Sequence, residues 1–287
     1  MPSPQARLLA AGLRAVPDRL IAFALTHPPR SRWPSLVPPW LDSAYRVDVT
    51  TVEAGRVATA SSRSEESPRH VLYLHGGAYT LGPAHWDAVR PLLERGWTVS
   101  MVDYPLAPEH TVADTVTMTL AAWQLTTATT AVPVDIMGDS AGGGLALVLL
   151  QHIRDLGLTR AGRTVLFSPW VDLVMDDAVT IAADRHDPFL SLRGLRGAAL
   201  MYAGGRDLAD PVLSPINGDL ADLGSIQAWV GTREMFLAQC CRLADLTLPA
   251  SGTDLELHIA DGMIHDWPML PVPEARRTLD EAVRFLA

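Results

Sequence analysis

The sequence predicts an α/β fold, a mostly parallel central sheet flanked by helices, on three observations. Short apolar runs alternate with helix-period segments from residue 71 to residue 168, and again from residue 226 to the end. That is the pattern of strand–helix–strand units. The runs are continuously apolar, as in strands covered on both faces. Gly-rich or polar loops follow several runs at their carboxyl ends, where open α/β sheets build their sites.

At 287 residues the chain is one large domain, or a domain with an appended subdomain, and can bury a sizeable core. Apolar residues make up 48% and charged residues 19%, a globular composition. The net charge of −9 leaves no basic excess to neutralise phosphates, so nucleic acid is not expected as a partner. Cys240 and Cys241 are adjacent, which suits free thiols on a helix better than a strained disulfide. No apolar run reaches the roughly 18 residues that span a bilayer, so stable membrane insertion is not expected either. Arg14, Pro17, Asp18 and Arg19 interrupt the apolar N-terminal stretch, which makes a poor signal peptide. A cytoplasmic protein is the expectation.

In chain order, residues 5–16 and 17–26 read as two short amphipathic helices, with Pro17 in the first turn of the second. Residues 27–42, dense in Pro and Trp, read as an irregular extended segment that packs its tryptophans on the core and helps cover a pocket. Residues 45–52 alternate as a half-exposed strand does, and 56–60 form its hairpin partner. Buried strands are expected at 71–74, 97–102 and 134–138, further strands at 164–167, 226–230 and 255–259, and helices at 86–95, 113–127, from Ala141 to about Leu156, 233–246 and 272–286. The alternation pauses over 174–219, too long for a plain loop and too short for a domain. That stretch, with a helix over 192–201, reads as an inserted cap. The expected organisation is N-terminal cap helices and linker over 1–44, core over 45–173, inserted cap over 174–219 and core over 220–287.

The strand 134–138 runs into Gly138-Asp139-Ser140-Ala141-Gly142, with a helical pattern behind it. A strand–turn–helix around G-x-S-x-G is the context of a nucleophile elbow, in which a sharp turn lifts the serine hydroxyl clear of the backbone. A serine hydroxyl is a poor nucleophile and needs a base, and the base needs an orienting group. Glu234 follows the strand 226–230 and His265 follows the strand 255–259. The order Ser, acid, His is that of an α/β-hydrolase triad: Ser140 as nucleophile, His265 as general base then acid, Glu234 as the orienting carboxylate. Singly, a loop histidine or a glutamate at a helix start is an ordinary polar residue; the order and the strand-end positions carry the assignment. His75-Gly76-Gly77-Ala78 offers backbone N–H donors for an oxyanion, and the N–H of Ala141 completes the set. No H-E-x-x-H motif or Cys/His cluster occurs, so no metal is expected.

His75-Gly76-Gly77-Ala78-Tyr79, Asp103-Tyr104-Pro105-Leu106-Ala107-Pro108-Glu109-His110, Gly138-Asp139-Ser140-Ala141-Gly142-Gly143 and Gly262-Met263-Ile264-His265 stand in order along the chain. Together with Ser168-Pro169, Asp187-Pro188-Phe189 and Leu213-Ser214-Pro215 they resemble the hormone-sensitive lipase family of bacterial esterases, from about residue 45 onward. The resemblance implies an α/β-hydrolase fold, carboxylic-ester hydrolysis, no cofactor, a helical N-terminal cap, and oxyanion donors at Gly76, Gly77 and Ala78. The family's third glycine is Ala78 here, which still supplies an N–H unless that position needs φ > 0. The usual acid is Asp and the aligned residue is Glu234, with Asp207, Asp210 and Asp266 as fallbacks. Ala238 stands where a second Asp is common.

The expected partner is a small-molecule ester of small to medium acyl length; a homodimer is left open. Tyr79, Trp170, Phe189, Met201, Met263, Ile264 and Trp267 are candidate linings of an apolar pocket. An amidase, lactonase or carbamate hydrolase on the same scaffold is the first alternative, since only the leaving group differs. A non-catalytic small-molecule receptor is the second, disfavoured by the presence of His265.

Overall fold

The computed structural model describes residues 2–28, 36–64, 67–82 and 85–287. An eight-stranded sheet has the spatial order β1-β2-β4-β3-β5-β6-β7-β8. Its strands are β1 (Arg46–Val52), β2 (Gly55–Ser61), β3 (His70–Leu74), β4 (Thr98–Asp103), β5 (Val134–Asp139), β6 (Arg163–Phe167), β7 (Gly224–Gly231) and β8 (Thr253–Ala260). β1 pairs with β2 and β2 with β4 antiparallel, and every later pairing is parallel. All eight strands expected from the sequence form. β3 and β5 are buried along their whole length, as their unbroken apolar runs imply. β1 departs from expectation: it is an edge strand exposed along most of its length, so its alternation does not mark one covered face.

The helices of the core are α4 (Trp86–Leu93), α5 (Val112–Ala128), α6 (Ala141–Asp155), α9 (Leu237–Thr247) and α10 (Pro273–Leu286). Two apolar cores result, one on each face of the sheet. One gathers Leu72, Leu74, Trp123, Ile136 and Leu166 under α5 and α6; the other gathers Tyr73, Trp97, Met137, Phe167 and Leu279 under α4 and α10. α5 opens on a capping box, in which Thr111 and Asp114 satisfy each other's backbone N–H. α9 starts at Leu237 and not at 233, because Arg233 N–H donates to the Met263 carbonyl and Glu234 turns back onto the Gly231 N–H. Cys240 and Cys241 lie on α9 as free thiols.

α1 (Pro4–Arg14) and α2 (Asp18–Thr26) precede the sheet, and Pro17 is the N-cap of α2, one position before its expected place. α3 (Pro39–Ala44) is a helix inside the segment read as extended; Pro39 opens it at a position where a proline's missing N–H costs nothing. The middle of that Pro/Trp segment, with Trp33, lies outside the described residues, while Trp40 and Leu41 pack on the second core. The stretch between β6 and β7 folds as α7 (Ala178–Ala183) and α8 (Leu192–Ala203). α2 lies on α8 because Gly194 and Gly197 leave room: a side chain at Gly194 would meet Ala22 and Leu25. Among the described residues no helix is long and apolar enough to cross a membrane.

Crowding is severe where α6 passes behind β3. A Cβ at Gly142 would collide with the carbonyl oxygen of Leu74, which is backbone and cannot give way. Gly142→Ala is therefore expected to cost about 2 kcal/mol or more, at the upper part of the overpacking range. Urea unfolding checks this; a midpoint equal to that of the wild type would show that β3 yields.

Candidate active site

The geometry starts at Ser140, which joins β5 to α6 with φ 50° and ψ −119°. A serine pays on the order of 1–3 kcal/mol for such a conformation, and four contacts hold it there. Its N–H donates to the Phe167 carbonyl at 2.8 Å, and its own carbonyl accepts from Gly144 at 3.1 Å and Trp170 at 2.9 Å. Gly138 supplies the fourth contact, since any side chain there would strike Gly142. The hydroxyl is thereby set at the carboxyl end of the sheet, at the N-terminus of α6.

His265 sits in the loop after β8. Its Nε2 is 2.9 Å from Ser140 Oγ and its Nδ1 is 2.8 Å from Glu234 Oε2. Glu234 Oε1 accepts from Gly231 N–H at 2.6 Å and from Ser168 Oγ at 2.9 Å, so both carboxylate oxygens are held. The structure thus brings Ser140, His265 and Glu234, separated by up to 125 residues, into one buried hydrogen-bonded line. Phe236 meets the imidazole edge-on at 5.1 Å and Phe189 packs at 5.8 Å, which fixes the ring plane. Of the fallback acids, Asp207 is exposed and caps its own turn, and Asp210 pairs with Arg206; neither reaches the histidine. Asp266 does, but on the other nitrogen: its Oδ2 is 3.1 Å from Nε2.

Gly76, Gly77 and Ala78 line the same cleft as Ser140 and His265, and Ala141 is the first residue of α6. Among the described residues, no protein group accepts from the N–H of Gly77, Ala78 or Ala141. Gly76 has no room for a side chain against Asp139. The loop does need positive φ: Gly77 is at 110°, Ala78 at 52° and Tyr79 at 61°. Ala78 takes up the left-handed conformation at a cost of about 1–2 kcal/mol relative to its preferred regions.

The cleft has a volume of about 650 Å³. Its walls are Leu13, Val16, Leu20, Ile21 and Leu25 from the α1–α2 pair, with Pro188, Phe189, Leu190 and Leu195 from the α7–α8 segment. Of the seven lining residues expected from the sequence, only Phe189 lines it. Tyr79 instead stacks on Tyr202 at 3.8 Å and packs against Trp170, inside the first core. Met201 packs against that core, Met263 and Trp267 belong to the second, and Ile264 is buried. The N-terminal helices were expected as a cap, but which of their residues form the walls was not legible, because their apolar stripes look like any core-facing stripe.

A second polar group lies beside the first. Asp139 takes His85 Nδ1 at 2.9 Å and the Tyr73 hydroxyl at 2.7 Å, and His85 lines the cleft. Burial raises the Asp139 carboxyl, but His85, Tyr73 and His75 outweigh it and hold it below the usual range. Burial likewise opposes a charge on His85, and Asp139 overcomes it, raising the imidazole above its ordinary value. His75 is fully buried, stacked on Tyr104, and burial lowers it to about 4. His70, whose Nε2 meets Ser100 Oγ at 2.8 Å at the start of β3, is lowered to about 4 by the same cause and stands at the far end of the strand from Ser140. Among the described residues no cluster of His, Cys, Asp or Glu is arranged to hold a metal ion.

The parallel sheet, the elbow and the site at the strands' carboxyl ends define the α/β-hydrolase class. A family model described as the alpha/beta hydrolase fold matches residues 71–269, and the chain belongs to that family, in its bacterial hormone-sensitive lipase branch. It is 33% identical to an acetyl-hydrolase of Streptomyces hygroscopicus over 78% of this chain and 77% of the relative. Among solved structures it is similar to EstE5, soaked with p-nitrophenyl butyrate, at 26% identity and TM-score 0.83, covering 99% of this chain and 98% of that one. An esterase from the bacterial hormone-sensitive lipase family is also 26% identical, with TM-score 0.83 over 100% of this chain and 98% of its own.

Ser168 is the residue that sequence reading left without a role. Its hydroxyl donates to Glu234 and accepts the N–H of Asp266 at 3.1 Å, tying the loops after β6, β7 and β8 together. Ser168→Ala leaves a buried N–H and a carboxylate oxygen short of a partner, so a loss of about 1–3 kcal/mol is expected, with a drop in kcat/KM of at least about tenfold from a looser Glu234. Urea unfolding and ester turnover measured on the same preparation check both. An unchanged kcat/KM would mean that Gly231 alone holds the glutamate.

Proposed function

We propose that the chain is a serine carboxylesterase in which Ser140 attacks the ester carbonyl, His265 takes and returns the proton, and Glu234 orients the imidazole. The observation that carries this reading is the unbroken contact Ser140 Oγ to His265 Nε2 and His265 Nδ1 to Glu234 Oε2, at 2.9 and 2.8 Å, at an elbow that presents the hydroxyl to a cleft. Attack moves the serine proton to Nε2 and forms a C–O bond. The carbonyl oxygen becomes an alkoxide, and in this reading the N–H groups of Gly76, Gly77, Ala78 and Ala141 are its donors. Collapse expels the alcohol, which takes the proton from Nε2 and leaves an acyl-enzyme; water then repeats the sequence with His265 as base. No step calls on a cofactor.

The esterase names of the relatives support the ester as substrate. A volume of about 650 Å³ with apolar walls suits small to medium acyl groups. In this reading residues 1–44 and 174–219 act as a cap on a core of residues 45–173 and 220–287. The cap supplies apolar wall and none of the reacting groups.

Ser140→Ala should abolish hydrolysis of a p-nitrophenyl acyl series without unfolding the protein. Full turnover by that variant would overturn the assignment of the nucleophile. Glu234→Gln should lower kcat by orders of magnitude, since a mis-oriented imidazole costs about 10⁴ in a comparable triad. A loss under about tenfold would move the acid elsewhere.

A further inference from the structure

The acid–base nitrogen of His265 faces two groups. Ser140 Oγ lies 2.9 Å away and Asp266 Oδ2 lies 3.1 Å away. A neutral imidazole that gives its Nδ1–H to Glu234 has only a lone pair at Nε2. Asp266 Oδ2, 3.1 Å from Nε2, lies beside the axis that Ser140 Oγ takes and acts on the ring by charge. A negative charge this close favours the imidazolium over the neutral ring. With a proton on Nε2 the ring cannot take the proton of Ser140.

Asp266 is not free to turn away. Its backbone is left-handed, with φ 49°. Its N–H is fixed to Ser168 Oγ, the atom that also donates to Glu234 Oε1. Its side chain is 10% exposed, and its other oxygen, Oδ1, is buried and takes no hydrogen bond among the described residues. The carboxylate's polar partner is therefore the histidine.

We propose that Asp266 is a positioning residue that holds a proton on the Nε2 side of His265 in the resting enzyme, so that the pair must lose this proton before Ser140 can be deprotonated. The inference rests on the triad reading above. The loss frees Nε2 as a base; the proton goes to solvent and no other bond changes. The imidazole then carries a carboxylate on each nitrogen, Glu234 on one and Asp266 on the other.

The groups that face the ring decide how strongly the proton is held. Glu234 comes from the loop after β7 and Asp266 from the histidine's own loop. Asp187, before α8, is a further carboxyl near the ring; burial raises it, against donors at Leu190, Phe189 and Met235. Asp139 and His85 stand on the side of β5 and α4, and His85 opposes a charge on His265. Burial disfavours the imidazolium, but Asp266 and Glu234 overcome that and hold His265 well above its ordinary value. Burial also lifts Asp266, to about 6. The two groups titrate as one unit. Activity is lost as pH falls through the titration of the pair, because the protonated form has no lone pair for Ser140.

The experiment is kcat/KM against pH for the wild type, Asp266→Asn and Ser140→Ala on a short p-nitrophenyl ester, read at a pH-independent wavelength. Asn keeps the size of Asp and tolerates the left-handed backbone. Removing the adjacent charge should move the acid limb about 1–3 pH units lower, with the alkaline plateau kept within about tenfold. One pH unit below the wild-type midpoint, the wild type should retain about a tenth of its plateau and the variant most of its own. A merely structural Asp266 would lower the plateau and leave the limb in place, and that result overturns the proposal. A parallel NMR titration of the His265 ring in the folded wild type and Asp266→Asn needs no turnover and should show the same downward shift; an unmoved ring also overturns it. Ser140→Ala separates the two ideas. Its continued hydrolysis would sink the triad while the ring titration still judges Asp266, whereas an inactive Ser140→Ala beside an unmoved limb sinks Asp266 alone.

Discussion

Most of this site depends on a single strained residue. The backbone of Ser140 sits in a region where L-residues seldom stay, and the surrounding chain is built to keep it there. Its carbonyl is held by Gly144 and Trp170, its N–H by Phe167, and small residues stand wherever a side chain would push the turn open. This explains why the glycines gather where they do. Gly142 lets α6 pass behind the Leu74 carbonyl, Gly144 admits the Trp170 carbonyl, and Gly76 lets the loop after β3 approach the Asp139 carboxylate. With those approaches closed, β3, β5 and α6 would stand further apart, and the serine would lose its position relative to the N–H groups of the Gly76–Ala78 loop.

The second constraint is electrostatic. Glu234 and Asp266 are buried against one histidine, His265, and Asp139 against another, His85. Burying ions is costly unless each is hydrogen-bonded and balanced. Glu234 is held by Gly231, Ser168 and His265; Asp139 by His85 and Tyr73; Asp266 faces His265. The arrangement alternates carboxylate and imidazole, so that no carboxylate stands without a nearby imidazole. A cluster of this kind balances only for a limited set of protonation states, and its behaviour with pH therefore belongs to the group rather than to any one residue.

How much of this was legible in the sequence follows from what each signal measures. Strands covered on both faces, such as β3 and β5, write themselves as apolar runs, and the edge strands β1 and β8, which bury no residue, were still readable as strands; the intervening helices imply parallel pairing but not the spatial order. Ser140, Glu234 and His265 could be placed because each follows a run that had to be a strand. Short helices were harder. α3 and α7 span 6 residues each, less than two turns, so neither develops a periodic stripe. The pocket was misread for a different reason. Tyr79, Trp170 and Trp267 are large and apolar, which argues for burial but not for burial in a wall; the left-handed backbone at Tyr79 accompanies a side chain stacked on Tyr202, and no sequence pattern reports that. Asp266 was visible only as a fallback acid, since adjacency to a histidine says nothing about which ring nitrogen a carboxylate will meet.

The division of labour between the loops of the sheet and the helices outside it follows from the same geometry. The groups that hold the histidine and its neighbours arise from loops at the carboxyl ends of strands: Gly76 after β3, Ser168 after β6, Glu234 after β7, His265 and Asp266 after β8. These loops are cross-linked through Ser168 and Glu234, so moving one moves the others. The walls come from α1, α2, α8 and the segment before α8, which touch the cleft with apolar side chains such as Leu20, Leu195 and Phe189. Aliphatic contacts are non-directional and tolerate changes of similar volume, whereas the hydrogen-bonded loops do not. Substitutions at Leu13, Val16 or Leu20 can therefore reshape the cleft while leaving the distances among Ser140, His265 and Glu234 as they are.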